Sequence, residues 1–310
     1  MEKAPLSLSI MGDWEETVPR KYMDRPYLDY YGLAEEPFSA VASPRYLFLT
    51  QTHKIALQKA SFVVGGQKGM TAVFGDTGMG KSSLARRLHE VFREEYEWNS
   101  TLITNPRYPS AYAFLRTLAQ EMGAPIPHKS YKDTLDVLKA FLIEKALKEE
   151  QIVTLIIDEA QEMTPQLLEV LRQLMNFESN DTKLIQIVLM AQDSLRDVLR
   201  RPKLQNFRSR IVMASTLEPL NFEETRAMIS FRWTVATGTT DNHPFAAEAV
   251  REIYERSGGM PREAIVLADN ALLLGYFNQQ REIPAQTVID AADDRVEHLT
   301  GRLPVKRGAA

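Results

Sequence analysis

The sequence predicts an α/β chain: a parallel β-sheet sandwiched between helices, followed by a small all-α region. Three observations point there. Short, wholly apolar runs alternate with amphipathic helical stretches over the first two thirds of the chain, the pattern of strands buried on both faces. A glycine-rich loop, "GDTGMGKS" at 75–82, stands at one strand-to-helix junction. After residue 215 the strands cease and only helical periodicity remains.

The chain's 310 residues suffice for one large domain or two smaller ones with a sizeable core. With 25% charged residues and a net charge of −4 there is no global basic excess, so any nucleic-acid contact must come from a local patch. The absence of cysteine excludes disulfides and thiolate metal sites and suits a reducing cytosol. His53, His89, His128, His243 and His298 have no ligand-like spacing, so no histidine metal site is expected. The opening "MEKAPLSLSIMGDWEET" carries acids early and no apolar run, unlike a signal peptide. No stretch of about 18 uninterrupted apolar residues occurs. The expectation is a soluble, cytoplasmic protein with no membrane contact.

Residues 1–26 are poorly periodic and read as an extension; Trp14 and Tyr22 there, with Tyr27 just after it, could dock partners. A helix follows over "THKIALQKASFVVG", closed by Gly65 and Gly66. "MTAVFG" is the first buried strand, and the helix after it places Leu84, Ala85, Leu88, Val91 and Phe92 on one face. "STLITNP" and "IVTLIID" are strands, separated by the helices "SAYAFLRTLAQEMG" and "YKDTLDVLKAFLIEKALKEE". Thr164 and Pro165 open the helix "TPQLLEVLRQLMNFE" as cap and first residue. "KLIQIVLMA" and "RIVMAS" complete the strands. Four helical stretches then run from "NFEETRAMISFRWTVA" to "AQTVIDAADDRVEHL". The expected division is an extension at 1–26, an α/β nucleotide-binding domain at 27–214, a helical domain at 215–300 and a tail at 301–310. The tail's Arg302, Lys306 and Arg307 are further candidates for partner docking.

The chemistry concentrates at strand ends. Gly75, Asp76, Thr77, Gly78, Met79, Gly80, Lys81 and Ser82 fully match G-x-x-x-x-G-K-[ST], with Ser83 adjoining. Glycines let backbone N–H groups wrap phosphates, the lysine reaches the β and γ oxygens, and the serine hydroxyl holds Mg²⁺. The start of the following helix adds its dipole to anion binding. ATP and Mg²⁺ are the expected cofactors. At the end of the most apolar strand, Asp158 is placed to hold the Mg²⁺ shell and Glu159 to act as the base that activates water. Two adjacent acids favour hydrolysis over transfer to an acceptor. Gln192 ends the next strand, where an amide could contact the γ-phosphate or the attacking water.

Two basic features remain. "LRDVLRRPKLQNFRSRI" carries six cations against Asp197, and Arg208 and Arg210 are its candidates for an arginine supplied to a neighbouring subunit's phosphates. Arg262, in "SGGMPREA", opens a helix and could offer an arginine from a helical lid.

Taken in this order, the motifs resemble the AAA+ ATPases over residues 28–300. "YYGLAEEPFSAVASPRYLFLTQTHKIAL", "LIIDEAQEM", "LRQLMNFE", "IQIVLMAQDSL" and "SGGMPREA" resemble the ExeA/GspA group and its relatives, the TnsC, TniB and MuB-type ATPases of transposons. The resemblance implies that Pro37, Phe38 and Tyr46 lie near the adenine. ExeA/GspA proteins continue into a membrane helix and a peptidoglycan-binding domain, neither of which follows residue 310 here. The soluble branch is therefore expected. In it, ATP-bound subunits form rings or filaments on double-stranded DNA, recruit a transposase, communicate with a target-selection protein and disassemble on hydrolysis. Arg107 and Tyr108 in "NPRYPS", with Lys129 and Lys132 in "HKSYKD", are the candidate DNA contacts. Repetition along a filament would let a few weak contacts suffice. The alternatives are a secretion-associated ATPase of the ExeA/GspA kind, or a soluble nucleotide switch that does not act on DNA.

Overall fold

A computed structural model describes residues 26–300 apart from 97, 126–129, 180 and 241. Lys129, Trp14, Tyr22 and the three basic tail residues lie outside the described residues. The chain forms two compact units.

The larger unit holds Val41–Leu220 together with Met260–Arg262. Its sheet has five strands: β1 (Met70–Phe74), β2 (Asn99–Ile103), β3 (Val153–Ile157), β4 (Gln186–Ala191) and β5 (Ile211–Thr216). They stand in the order β2-β3-β4-β1-β5, and every neighbouring pair is parallel. Strands β1, β3 and β4 are buried at every position, which is why they read as unbroken apolar runs rather than alternating ones.

Alternate residues of these strands feed two cores, one on each face of the sheet. Met70, Ala72, Phe74, Leu155, Ile157, Ile187 and Leu189 pack with Phe114, Leu138 and Leu171. Those last three come from α4 (Ala111–Glu121), α5 (Tyr131–Ile143) and α6 (Pro165–Leu174). Val73, Ile156, Val188 and Met190 face the other way, onto Ala60 and Leu84. These belong to α2 (Gln51–Gly65) and α3 (Lys81–Glu90), which follow α1 (Pro26–Tyr31) in the chain. The caps are the ones the sequence supplies: Ser110, Ser130 and Thr164 each accept a hydrogen bond from the first turn of their helix. The one side-chain amide inside β4, Gln186, has a partner at each end: it accepts from the Gly69 N–H at 2.7 Å and donates to the Lys183 carbonyl at 2.8 Å.

Short helices α7 (Ser194–Leu199) and α8 (Gln205–Arg208) lead from β4 to β5. The second unit is helical. It gathers the described residues up to Ala40, then Asn221–Gly259, and the chain from Glu263 onward. Its main helices are α9 (Phe222–Thr237), α10 (Ala247–Ser257), α11 (Pro261–Phe277, whose first two residues cluster with the sheet unit) and α12 (Ala285–Thr300). Asn221 and Glu224 form a reciprocal capping box at the start of α9.

The units depart from the sequence-based boundaries in three places. The division falls after Leu220 rather than 214, residues up to Ala40 group with the helical unit, and Met260–Arg262 group with the sheet unit. The reason for the second is a buried arginine. Arg232 of α9 donates to the Pro37 carbonyl at 2.7 Å and to the Ser39 carbonyl at 2.8 Å, tying that segment to the helices.

Candidate nucleotide site

In a parallel sheet of this order, the carboxyl ends of β1, β3 and β4 share one edge. The register pairs Phe74 with Ala191 and Ile157 with Leu189, so the loop at 75–80, Asp158 and Gln192 all leave the sheet side by side. That edge is where α/β sheets bind ligands.

The loop's conformation depends on its glycines. Gly78 and Gly80 sit at φ of 86° and 87°, the left-handed region closed to most side chains. A Cβ on Gly78 would also stand 2.7 Å from the Cβ of Arg262. Lys81 begins α3 and is 4% exposed; its ammonium donates to the Gly75 carbonyl at 2.9 Å and the Asp76 carbonyl at 2.8 Å. Burial pushes the Lys81 pKa down, while Glu159, Asp158, Asp76 and Asp193 pull it up. A cation held among acids at the mouth of a glycine loop is suited to a polyanion that arrives with its own metal charge.

Ser82 and Asp158 are neighbours, close enough that the serine side chain draws the Asp158 pKa down. Burial raises that pKa, opposed by the serine and by the Glu159 N–H, which donates to Asp158 Oδ1 at 3.0 Å. A hydroxyl and a carboxylate side by side beside a phosphate loop form a donor set of the hard-oxygen kind that Mg²⁺ takes.

Glu159 adopts φ of 53°, unusual for a residue with a side chain. It occupies the cap position of the turn Ala160–Glu162 without capping it. Its carboxylate instead accepts from the Gln161 amide and from Gln192 Nε2 at 3.4 Å. Gln161 closes the group, because its Oε1 accepts from the Gln192 N–H at 3.0 Å. Gln161 carries no assigned role in the sequence reading. Its signal is its place in "DEAQ", two residues beyond the second acid, but only the neighbouring strand end reveals what it reaches.

The remaining candidates separate by position. The Arg262 N–H donates to the Gly78 carbonyl at 3.2 Å, against the phosphate loop. Arg208 and Arg210 precede β5 at the amino edge of the sheet, a strand of six residues or roughly 20 Å from the loop. Neither can serve the loop of its own chain. Arg210 donates to Asn176 Oδ1 at 3.0 Å, whereas Arg208 is exposed at the end of α8. Arg196 and Arg200 are already paired with Asp193 and Asp197.

Tyr46 is buried in the sheet unit, in the turn Pro44–Tyr46 before α2. Pro37 and the buried Phe38 belong to the helical unit, where Phe38 packs edge-on to Phe245 at 5.8 Å. Of the candidate DNA contacts, Arg107 is ion-paired to Glu162 at 2.6 Å, and Tyr108 lays its ring against Phe114 at 5.1 Å and joins the core's edge. Lys132 is exposed in the first turn of α5.

Comparison with known proteins agrees with this geometry. Residues 64–199 match the family model described as "AAA domain", so this stretch is an AAA-type P-loop domain. General secretion pathway protein A of Aeromonas hydrophila is 30% identical over 258 residues; the match covers 83% of this chain and 46% of that protein. The chain thus spans just under half the length of that homologue. Among solved structures, the Aeropyrum pernix ORC2 protein in ADPNP–ADP complexes superposes with a TM-score of 0.62 at 20% identity, covering 84% of this chain and 71% of its own. Drosophila ORC bound to DNA gives 0.66 at 14% identity, covering 96% and 71%. At such identities the likeness is one of fold. Among the described residues, no helix is long and apolar enough to cross a membrane.

Proposed function

We propose, from an AAA-type P-loop domain as premise, that this protein is an Mg²⁺-dependent ATPase whose nucleotide state governs assembly on double-stranded DNA, and that it regulates DNA transposition. The observation that carries the hydrolytic part is Glu159: a carboxylate that leaves its own turn uncapped and is held between two glutamines, one residue beyond the Ser82–Asp158 pair.

In this reading the loop from Gly75 to Ser83 wraps the phosphates and Lys81 turns from its backbone carbonyls to the β and γ oxygens. Ser82 and Asp158 would hold Mg²⁺, which would supply charge neutralisation to the phosphates when bound. Glu159 takes the proton of the attacking water; Gln161 and Gln192 orient the carboxylate, and Gln192 would contact the γ-phosphate or that water. Arg262 lies against the loop in the same chain. Because Arg208 and Arg210 sit at the far edge of their own sheet, either would act on a neighbouring copy, and Arg208 is the candidate because Arg210 already bonds Asn176.

DNA is the proposed partner on the strength of the sequence resemblance to transposition regulators, and of a fold shared with ORC proteins, one of them solved bound to DNA. Arg107 and Lys132 would contact phosphates, with Tyr108 supporting the loop and Lys129 contributing from the same segment. A transposase and a target-selection protein would engage the assembled form. The proposed location is the cytoplasm. A second reading, a secretion-associated ATPase, is favoured by the 30% identity to general secretion pathway protein A.

ATP turnover tests the chemistry. The Glu159→Gln protein is expected to bind ATP like the wild type and to turn over about 100-fold or more slowly, the range for loss of a general base. In the same assay Arg208→Ala should lose turnover with binding intact, while Arg210→Ala retains it. Undiminished turnover by Glu159→Gln would remove that residue as the base.

A further inference from the structure

The phosphate loop is held from outside by a histidine that the catalytic scheme does not use. His53 lies in the first turn of α2 and is 2% exposed. Its Nε2 is 3.1 Å from the carbonyl oxygen of Met79, and its Nδ1 is 2.7 Å from Thr50 Oγ1. Thr50 is the cap of α2, and its hydroxyl oxygen also accepts the His53 N–H at 3.3 Å.

The protons follow from the partners. A peptide carbonyl can only accept, so Nε2 carries the hydrogen. In the neutral Nε2–H tautomer Nδ1 accepts from the Thr50 hydroxyl, whose oxygen can accept in turn from Thr52 Oγ1 at 3.0 Å. Both ring nitrogens have a partner, and whichever form the ring takes, the contact to the Met79 carbonyl requires a hydrogen on Nε2.

The bonded carbonyl matters because of where it lies. In a trans peptide the C=O and the next N–H point in opposite directions within one rigid plane. Holding the Met79 carbonyl toward His53 therefore aims the Gly80 N–H away from the histidine. The fit is close: a Cβ on Gly80 would come 3.2 Å from His53 Nε2 and 3.5 Å from Leu47. Met79 itself is anchored, its side chain 1% exposed in the core with Leu84 and Val73.

We infer that His53 is a positioning residue of the phosphate loop: its Nε2–H fixes the Met79 carbonyl and thereby presents the Gly80 N–H to the nucleotide's phosphates. This rests on the nucleotide-binding reading above and adds to it a residue outside the loop and outside the strand-end acids. Its position in sequence, 26 residues before Met79, is why no motif announces it.

The test is fluorescent ATP-analogue titration of the full chain with His53→Leu, His53→Gln and Lys81→Ala, each monitored for its thermal melt. Removing the donor should weaken binding roughly tenfold, the scale of one hydrogen bond left unmade. Gln, whose amide N–H can stand near the Nε2 position, should restore affinity to within about threefold. Wild-type affinity in a folded His53→Leu protein, or no recovery in a folded His53→Gln protein, overturns the inference. Should the leucine variant unfold, ¹⁵N-histidine spectra of the wild type decide. The neutral Nε2–H tautomer, with a resonance that moves on adding ATP, supports the role; the Nδ1–H tautomer or an unmoved resonance refutes it. Lys81→Ala separates the two levels: if it binds ATP as the wild type does, the nucleotide reading itself has failed.

Discussion

At Glu159 the backbone holds a conformation that costs of order 1–3 kcal/mol, and the side chain forgoes the cap that its position offers. Local preference disfavours that backbone conformation for a residue with a side chain. The strain persists because Gln161 grips the carboxylate and the Gln192 N–H in turn holds Gln161. Replacing Gln161 by leucine should therefore leave ATP binding intact and lower turnover by roughly 10- to 100-fold, the scale of losing a hydrogen bond to a charged group. Pre-steady-state measurement of bound-ATP cleavage would show it; an unchanged rate would mean that Gln192 alone orients Glu159. This pair also marks how far the sequence can be read at single-residue scale. That Asp158, Glu159 and Gln192 come together is legible because Asp158 and Gln192 directly follow apolar strands, Glu159 follows Asp158, and strand ends in such sheets converge. Gln161 and His53 are not, because their roles depend on groups 31 and 26 residues away that no local pattern brings to them.

At the scale of elements, the five strands and the helices between them follow from apolar runs, caps and glycine stops. The strand order does not: β1 lies between β4 and β5, and only long-range pairing decides that. The segment before Ala40 is a comparable case. Its aromatic residues suggest compaction, yet its grouping with α9 depends on Arg232 reaching two carbonyls nearly 200 residues away in sequence. Within that helical unit, α1 is fastened by Tyr31, whose hydroxyl donates to the Gln280 carbonyl at 3.0 Å and the Leu272 carbonyl at 3.3 Å. Its pKa is pushed up to about 12, chiefly by burial and then by neighbouring Tyr30, against the pull of Arg281. Between the ordinary tyrosine value near 10 and about 12, the folded unit keeps a proton that the unfolded chain has lost. Stability from this group therefore falls as pH rises through that window. Alkaline unfolding of Tyr31→Phe should lack this component of the slope; an identical slope in both proteins would assign the alkaline loss to other groups.

For the whole molecule, the account turns on a division of labour across the sheet. In the proposed scheme the phosphate-handling residues gather at the carboxyl edge, while Arg208 sits at the amino edge, away from the loop of its own chain. On that reading a site is completed by a neighbouring copy, which makes assembly part of the proposed chemistry. Net charge of −4 gives a single copy little hold on DNA, so repeated weak phosphate contacts from Arg107 and Lys132 would have to act together. Both the transposition reading and the secretion-associated reading keep the nucleotide site; they differ in whether DNA organises the assembly.

Co-sedimentation with a short duplex, compared with ATP, a slowly hydrolysed ATP analogue, ADP and no nucleotide, tests that difference most directly. Rings or filaments should pellet with the duplex in the analogue, weaken as salt is raised, and dissolve with ADP or as ATP is consumed. Nucleotide-dependent particles that form equally well without DNA would contradict the DNA reading and favour the secretion-associated one.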